Sequence, residues 1–214
     1  MRPPSETPAS PAASAGPALN VLCVCTGNIA RSPVLARLLD LATDESVHVT
    51  SAGTGALTGA SMDPSMVSLL EASGVSSVPF QARDLTESLI VRADLVLCLD
   101  TSHRRRVVQL APAAMRRTFL LRELARLATG AYEYEDGSGH DDAARLRALV
   151  AAVLPYRGGL GSPEQDDVAD PFGGSAAGYQ AAFADIASAV IAIKDAAGCS
   201  GSRSDAVPSP PAGR

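Results

Sequence analysis

No stretch of this 214-residue chain approaches the unbroken apolar length of a membrane span, and its first residues hold no apolar signal core. Residues 1–17 are mostly Pro, Ala and Ser, and residues 198–214 repeat that character, so both are expected to be disordered tails around one domain at 18–197. Lysine is nearly missing: Lys194 is the only one among 18 basic residues, which reads as coding bias and carries no functional meaning. The formal net charge of −5 and pI near 5.2 argue against a nucleic-acid backbone or an anionic membrane as the main partner. Cysteine is sparse as well. Cys23, Cys25, Cys98 and Cys199 show neither a disulfide framework nor zinc spacing, which makes a reducing, cytoplasmic setting the default expectation. His48, His103 and His140 fall in no ligand pattern, so no metal or cofactor is expected and each reads as an ordinary surface or core residue.

What the chain does have is one dense string. Cys25-Thr26-Gly27-Asn28-Ile29-Ala30-Arg31-Ser32-Pro33 lies between the apolar run Val21-Leu22-Cys23-Val24 and a stretch that puts Val34, Leu35, Leu38 and Leu39 on one helix side. The turn therefore opens onto a helix N-terminus, where unpaired N–H groups and the macrodipole favour an anion. Gly27 permits backbone angles closed to other residues, Asn28 tolerates the left-handed region, Ser32 is expected to cap and Pro33 suits the first turn. A loop of this kind can aim successive amides at one point. At its floor, the field that attracts phosphate also favours thiolate over thiol at Cys25. Arg31 stays charged, and its planar fork can hold two phosphoryl oxygens at once. A buried strand-end cysteine and a surface arginine are the plain alternative for each residue alone; the whole string in this context points to phosphoryl chemistry.

Strand-like segments at 19–24, 46–51, 94–99 and 116–120 alternate with helical patterns at 32–43, 64–73, 101–110 and 175–196. Such alternation predicts an α/β domain of three layers: a four-stranded parallel sheet with helices on both faces and the phosphate-binding loop after its first strand. Sites in these sheets lie beyond the carboxyl ends of the strands, where Cys25 falls. Residues 121–166 read as an extended insertion. Two helical patterns, 121–128 and 141–154, are joined by the acidic, Gly-rich 134–142 and followed by 157–161. It serves either to shape the substrate entrance or as a passive connection.

Cys-x5-Arg-Ser-Pro near the start of the folded region resembles the low-molecular-weight protein tyrosine phosphatases. Further likenesses follow in order: Thr50-Ser51-Ala52-Gly53-Thr54, Asp63-Pro64, Ala82-Arg83-Asp84-Leu85-Thr86, the run Asp94 to Asp100, and Asp170-Pro171-Phe172, which is similar to the family's acid loop. The resemblance covers roughly residues 19–197. It implies a metal-independent hydrolase acting on phosphotyrosine in proteins and releasing inorganic phosphate. Cys25 would be the nucleophile, Asp170 the general acid, and Thr26 to Ser32 the phosphate cradle, with Asn28, Ser32 and Ser51 tying the loop together. Asp167 and Asp166 are weaker competitors for the acid.

Departures from the family pattern set further expectations. Phe80 stands where a histidine commonly joins the loop network, so that network is expected to be smaller or rebuilt. Leu57 takes the place of a cleft aromatic, and Phe172-Gly173 that of a frequent tyrosine pair, so ring stacking on phosphotyrosine is expected to be weaker. Ile29 matches tyrosine-directed relatives, while Thr26 is shared with the protein-arginine phosphatases. Ala30 replaces a second cysteine that in many relatives captures the oxidised nucleophile, leaving Cys23 as the remaining candidate for that role. Arsenate reductases of the same fold need two further relay cysteines, which neither Cys98 nor Cys199 is placed to supply. A non-catalytic phosphate-binding module is the reading from a different class.

Overall fold

The computed structural model describes residues 16–76, 79–130, 141–157 and 163–201. Four parallel strands run in the order β2-β1-β3-β4: β1 is Leu19–Cys25, β2 Val47–Gly53, β3 Leu95–Cys98 and β4 Thr118–Leu120. The helices are α1 Arg31–Ala42, α2 Pro64–Ala72, α3 Glu87–Arg92, α4 Thr101–Leu110, α5 Leu121–Ala128, α6 Asp142–Val153 and α7 Ala176–Ala197. The three-layer α/β architecture predicted from the alternation is thus the one observed.

The strands of the centre are apolar on both faces, and their period of two divides the core. From β1, Leu19, Val21, Cys23 and Cys25 enter a large cluster with Leu35 and Leu38 of α1 and Phe183, Ile186 and Val190 of α7. Leu22 and Val24 point the other way, into a smaller cluster with Ile90 of α3, Val107 of α4 and Leu120. Local signals set the helix ends. Asp63 caps α2 by accepting from Ser65 N at 2.8 Å with Pro64 at the first position, Thr86 caps α3, and Gly198 ends α7 with φ of 69°.

Some expectations need correction. The six-residue α3 was not foreseen, being too short to show a helical period. One helix does have the length and apolarity to cross a membrane: the 22-residue α7. Its apolar side chains, Phe183, Ile186 and Val190 among them, instead fill the core. The packed chain continues past 197, because Cys199 is buried and Ser200 N donates to the buried Asp142. The expected tails at 1–15 and 202–214, and the links at 131–140 and 158–162, lie outside the described residues.

The described part of the insertion packs into the core. Residues Leu146, Leu149 and Val153 of α6 join the large core with α5 and α7. The N-terminus of α6 sits at the opposite end of the sheet from Cys25, where Asp142 N donates to Asp44 Oδ2 and Asp142 Oδ2 accepts from Asp44 N just before β2.

Candidate active site

Cys25 is the last residue of β1, in register with Gly53 at the end of β2, and α1 begins six residues later at Arg31. The turn between them is clamped from β2's side. Thr54 N, Gly55 N and Leu57 N donate to the carbonyls of Cys25, Thr26 and Gly27 at 2.9, 3.1 and 3.0 Å. Asn28 takes the left-handed conformation expected of it, with φ of 52°. Gly53 is required for the close approach, because a Cβ there would lie 2.3 Å from Thr26 O.

A polar chain lies beneath the thiol. Asn28 Nδ2 donates to Ser32 Oγ at 3.0 Å and to Ser51 Oγ at 2.9 Å, and Ser32 Oγ is 2.9 Å from Cys25 Sγ. Ser32 therefore does not cap the helix as expected: it is the second residue of α1, and no side chain caps Ala30. With one lone pair of Ser32 taken by Asn28, its own proton is free for the sulfur. Arg83 extends the chain: its N–H donates to Asn28 Oδ1 at 2.9 Å and its Nε donates to Ser51 O at 2.8 Å. Phe80 packs against the large core.

Arg31 is 3 % exposed, and its charge is met on two sides. Nη1 donates to Val168 O at 2.9 Å and Asp100 Oδ2 at 3.2 Å, while Nη2 donates to Asp170 Oδ2 at 2.7 Å. Of the three candidate carboxyls, Asp170 is the one that lines the cavity. Its competitors have other work: Asp167 accepts from Thr101 N and Oγ1 at the start of α4, and Asp166 pairs with Arg126 at 2.7 Å. Burial acts to raise the pKa of Asp100, but hydrogen bonds and the charges of His103 and Arg31 outweigh it and hold the carboxyl below its usual range.

His103 is the functional-site neighbour that sequence reasoning missed. It is fully buried in the capping box of α4, where Asp100 N donates to its Nδ1 at 3.2 Å and Asp100 Oδ1 accepts from its backbone N–H at 3.0 Å. Its Nε2 reaches Thr26 Oγ1 at 2.9 Å. Burial, with Arg31 adding to it against the pull of Asp100 and Asp170, pushes the His103 pKa down to about 4. The ring is neutral near pH 7. The only sequence clue was its place three residues after Asp100.

These groups open on a cavity of about 200 Å³ lined by Cys25, Thr26, Arg31, Leu57, Asp170 and Phe172 among others. Leu57 and Phe172 line it and are exposed. Cys23, Cys98 and Cys199 are buried; burial raises the first two thiols strongly and pushes Cys199 up to about 12. Cys23 is two strand positions from Cys25, about 6.6 Å between Cα atoms in extended chain. That is the outer limit of disulfide geometry, so it is a poor substitute for a cysteine at Ala30. Among the described residues no group of three or more His, Cys, Asp or Glu is gathered that could hold a metal ion.

A family model described as low molecular weight phosphotyrosine protein phosphatase matches residues 20–153. The match stops before Asp170, whose place at the site rests on geometry. A probable low molecular weight protein-tyrosine-phosphatase, EpsP of Ralstonia solanacearum, is 34% identical over 142 residues, 66% of this chain and 97% of that one. Low molecular weight protein-tyrosine phosphatase A of Mycobacterium tuberculosis is 34% identical over 145 residues, 64% of this chain and 88% of its own. Among solved structures, the arginine phosphatase YwlE of Geobacillus stearothermophilus is similar at a TM-score of 0.61 and 25% identity, covering 83% of this chain and 91% of that one. Wzb of Vibrio vulnificus in complex with benzylphosphonate gives 0.59 and 25%, covering 83% and 97%.

Proposed function

This chain belongs to the low molecular weight phosphotyrosine protein phosphatase family, and from that premise we propose that it hydrolyses phosphotyrosine in proteins by two displacements at Cys25. One observation carries the reading: a thiol, a guanidinium and a half-exposed carboxyl converge on a single cavity, with Arg31 2.7 Å from Asp170 and Cys25 at the floor.

In the first displacement Cys25 Sγ attacks phosphorus in line as the P–O bond breaks, and Asp170 gives its proton to the departing oxygen. The amides of Thr26, Gly27, Asn28, Ile29, Ala30, Arg31 and Ser32, with the Arg31 fork, hold the equatorial oxygens as charge spreads over them. Ser32 donates to the sulfur, which helps it depart in the second step. Water, deprotonated by Asp170, then attacks the phosphocysteine and frees inorganic phosphate. The preformed loop and Arg31 supply the positive field for this chemistry. A nucleophilic thiol works best in a reducing compartment, which supports a cytoplasmic setting.

Hydrolysis of p-nitrophenyl phosphate by the full chain tests the reading. Activity abolished in Cys25→Ser and Arg31→Ala supports it, whereas an inert wild type that still binds phosphate favours a recognition module. A second reading, phosphoarginine as substrate, is favoured by the likeness to the YwlE arginine phosphatase and by Thr26. Ile29, which lines the cavity, supports phosphotyrosine. Parallel assays on phosphotyrosine, phosphoserine and phosphoarginine peptides separate them by kcat/KM.

A further inference from the structure

The capping box of α4 touches the phosphate loop twice. Asp100 Oδ2 accepts from Arg31 Nη1 at 3.2 Å, and His103 Nε2 meets Thr26 Oγ1 at 2.9 Å. The surroundings of Nδ1 point to the direction of the second bond. Nδ1 of His103 accepts from Asp100 N–H at 3.2 Å and lies equally near Asp100 Oδ1; only the first contact has hydrogen-bond geometry, and with Nδ1 as acceptor the proton of the neutral ring is on Nε2, donated to the threonine oxygen. One lone pair of Thr26 Oγ1 is then taken from behind. The residue is exposed and lines the cavity, so its own proton is left for a donor bond there beside the second lone pair. Asp170 lines the same cavity.

Resting on the phosphatase reading above, we propose that His103 is a positioning residue for phosphoryl transfer, aiming the Thr26 hydroxyl as a hydrogen-bond donor at the oxygen of the departing group. The S–P bond forms, the P–O bond breaks and the proton that neutralises the leaving oxygen comes from Asp170. Thr26 transfers no proton; it stabilises negative charge on that oxygen before the proton arrives. Its contribution grows with the charge left on the oxygen that proton transfer has not yet covered, so poor leaving groups depend on it most. A buried histidine without this role would affect all substrates alike through stability.

Two substitutions at 103 separate the roles. His103→Asn keeps an acceptor for Asp100 N and so the capping box, but has nothing to donate to Thr26; His103→Gln keeps a donor near the position of Nε2. The full-length enzyme is assayed by kcat/KM, which reports the first displacement, on p-nitrophenyl phosphate and on the poorer leaving group of a phosphotyrosine peptide. Thr26→Val and His103→Asn are each expected to lose about 10-fold on phosphotyrosine, the size of one hydrogen bond strengthened in the transition state, and much less on p-nitrophenyl phosphate. Thr26→Ser and His103→Gln are expected to restore most of the loss. The Thr26→Val/His103→Asn double variant is expected to be no worse than either alone. Equal losses on both substrates, or additive losses in the double variant, overturn the proposal. Nitrogen NMR of the wild-type imidazole gives a check that needs no variant to fold: protonation on Nε2 is expected, and a proton on Nδ1 overturns it. A wild type active on both substrates with unaffected variants sinks this inference alone, while an inert wild type sinks the phosphatase reading with it.

Discussion

The loop at 25–32 and the loop at 168–174 meet at Arg31, yet the first is held along its length while the second is held near its two ends with a half-exposed carboxyl between them. In the phosphate loop Asn28 and Ser32 are fully buried, three backbone amides of 54–57 hold its carbonyls, and Arg83 fastens Asn28 from outside. The loop at 168–174 is pinned where Val168 N donates to Leu99 O at 2.8 Å and the neighbouring Asp167 accepts from Thr101 N at the start of α4. Beyond that point Asp170 and Phe172 are about half exposed, and the Arg31 ion pair links the carboxyl across the cavity. The difference divides the chemistry. Charge stabilisation needs donors that do not reorganise, whereas the acid has to approach a departing group and leave again for water.

If this division is right, damage to the fixed loop is broad and damage to the other is confined to turnover. The largest effect is expected from Gly53→Ala, because the new Cβ would lie 2.3 Å from Thr26 O and the loop backbone must move. A fall in kcat/KM of at least about 100-fold on p-nitrophenyl phosphate is expected, the scale of a misplacement near 1 Å. Calorimetry is expected to show roughly 1–3 kcal/mol of lost stability from the overpacking. Asp170→Asn comes next, with kcat lowered about 100-fold or more by loss of the general acid. Phosphate inhibition and melting temperature are expected to be nearly unchanged, and a large stability loss would place Asp170 with the rigid half.

A third prediction concerns pH. The unfolded-state pKa of His103 is near 6.5 and its folded pKa about 4, so the unfolded chain binds the extra proton first. The stabilisation is complete above about 6.5 and declines as pH falls through 4, by roughly 3 kcal/mol in all. Asp100, whose folded pKa is also depressed, withdraws its contribution at lower pH, below the ordinary carboxylate range. Urea unfolding from pH 7.5 to 4 is expected to follow this slope in wild type and to lose it in His103→Asn. Smallest is Phe172→Ala: with 59% of the ring exposed, stability is expected to change by less than about 0.5 kcal/mol. The KM for aryl phosphates is expected to rise a few-fold, and an unchanged KM would remove Phe172 from the cleft.

The same contrast explains what could be read in advance. The phosphate loop is one contiguous string between a strand and a helix, and the alternation of strands and helices gave the sheet, so Cys25, Arg31 and the three layers were legible. Asp170 was legible only through resemblance, since an Asp-Pro pair alone is punctuation. Arg83 was not, because its main contribution is a backbone N–H that every residue but proline owns. Ser32 looked like a helix cap, a role its residue type favours, and only the path of Asn28 turns it toward the sulfur. His103 acts across 77 residues of sequence through a nitrogen whose proton is placed by a helix cap, a relation that has no local signature.

Of the four thiols, three are sealed within hydrophobic packing and one, that of Cys25, lines the cavity. A small electrophile such as iodoacetamide would therefore count active centres directly: one equivalent incorporated per folded chain, blocked in proportion to occupancy by vanadate or phosphate. The intact molecule carries its own active-site titrant, and its purified fraction can be weighed by mass spectrometry before a single rate is measured.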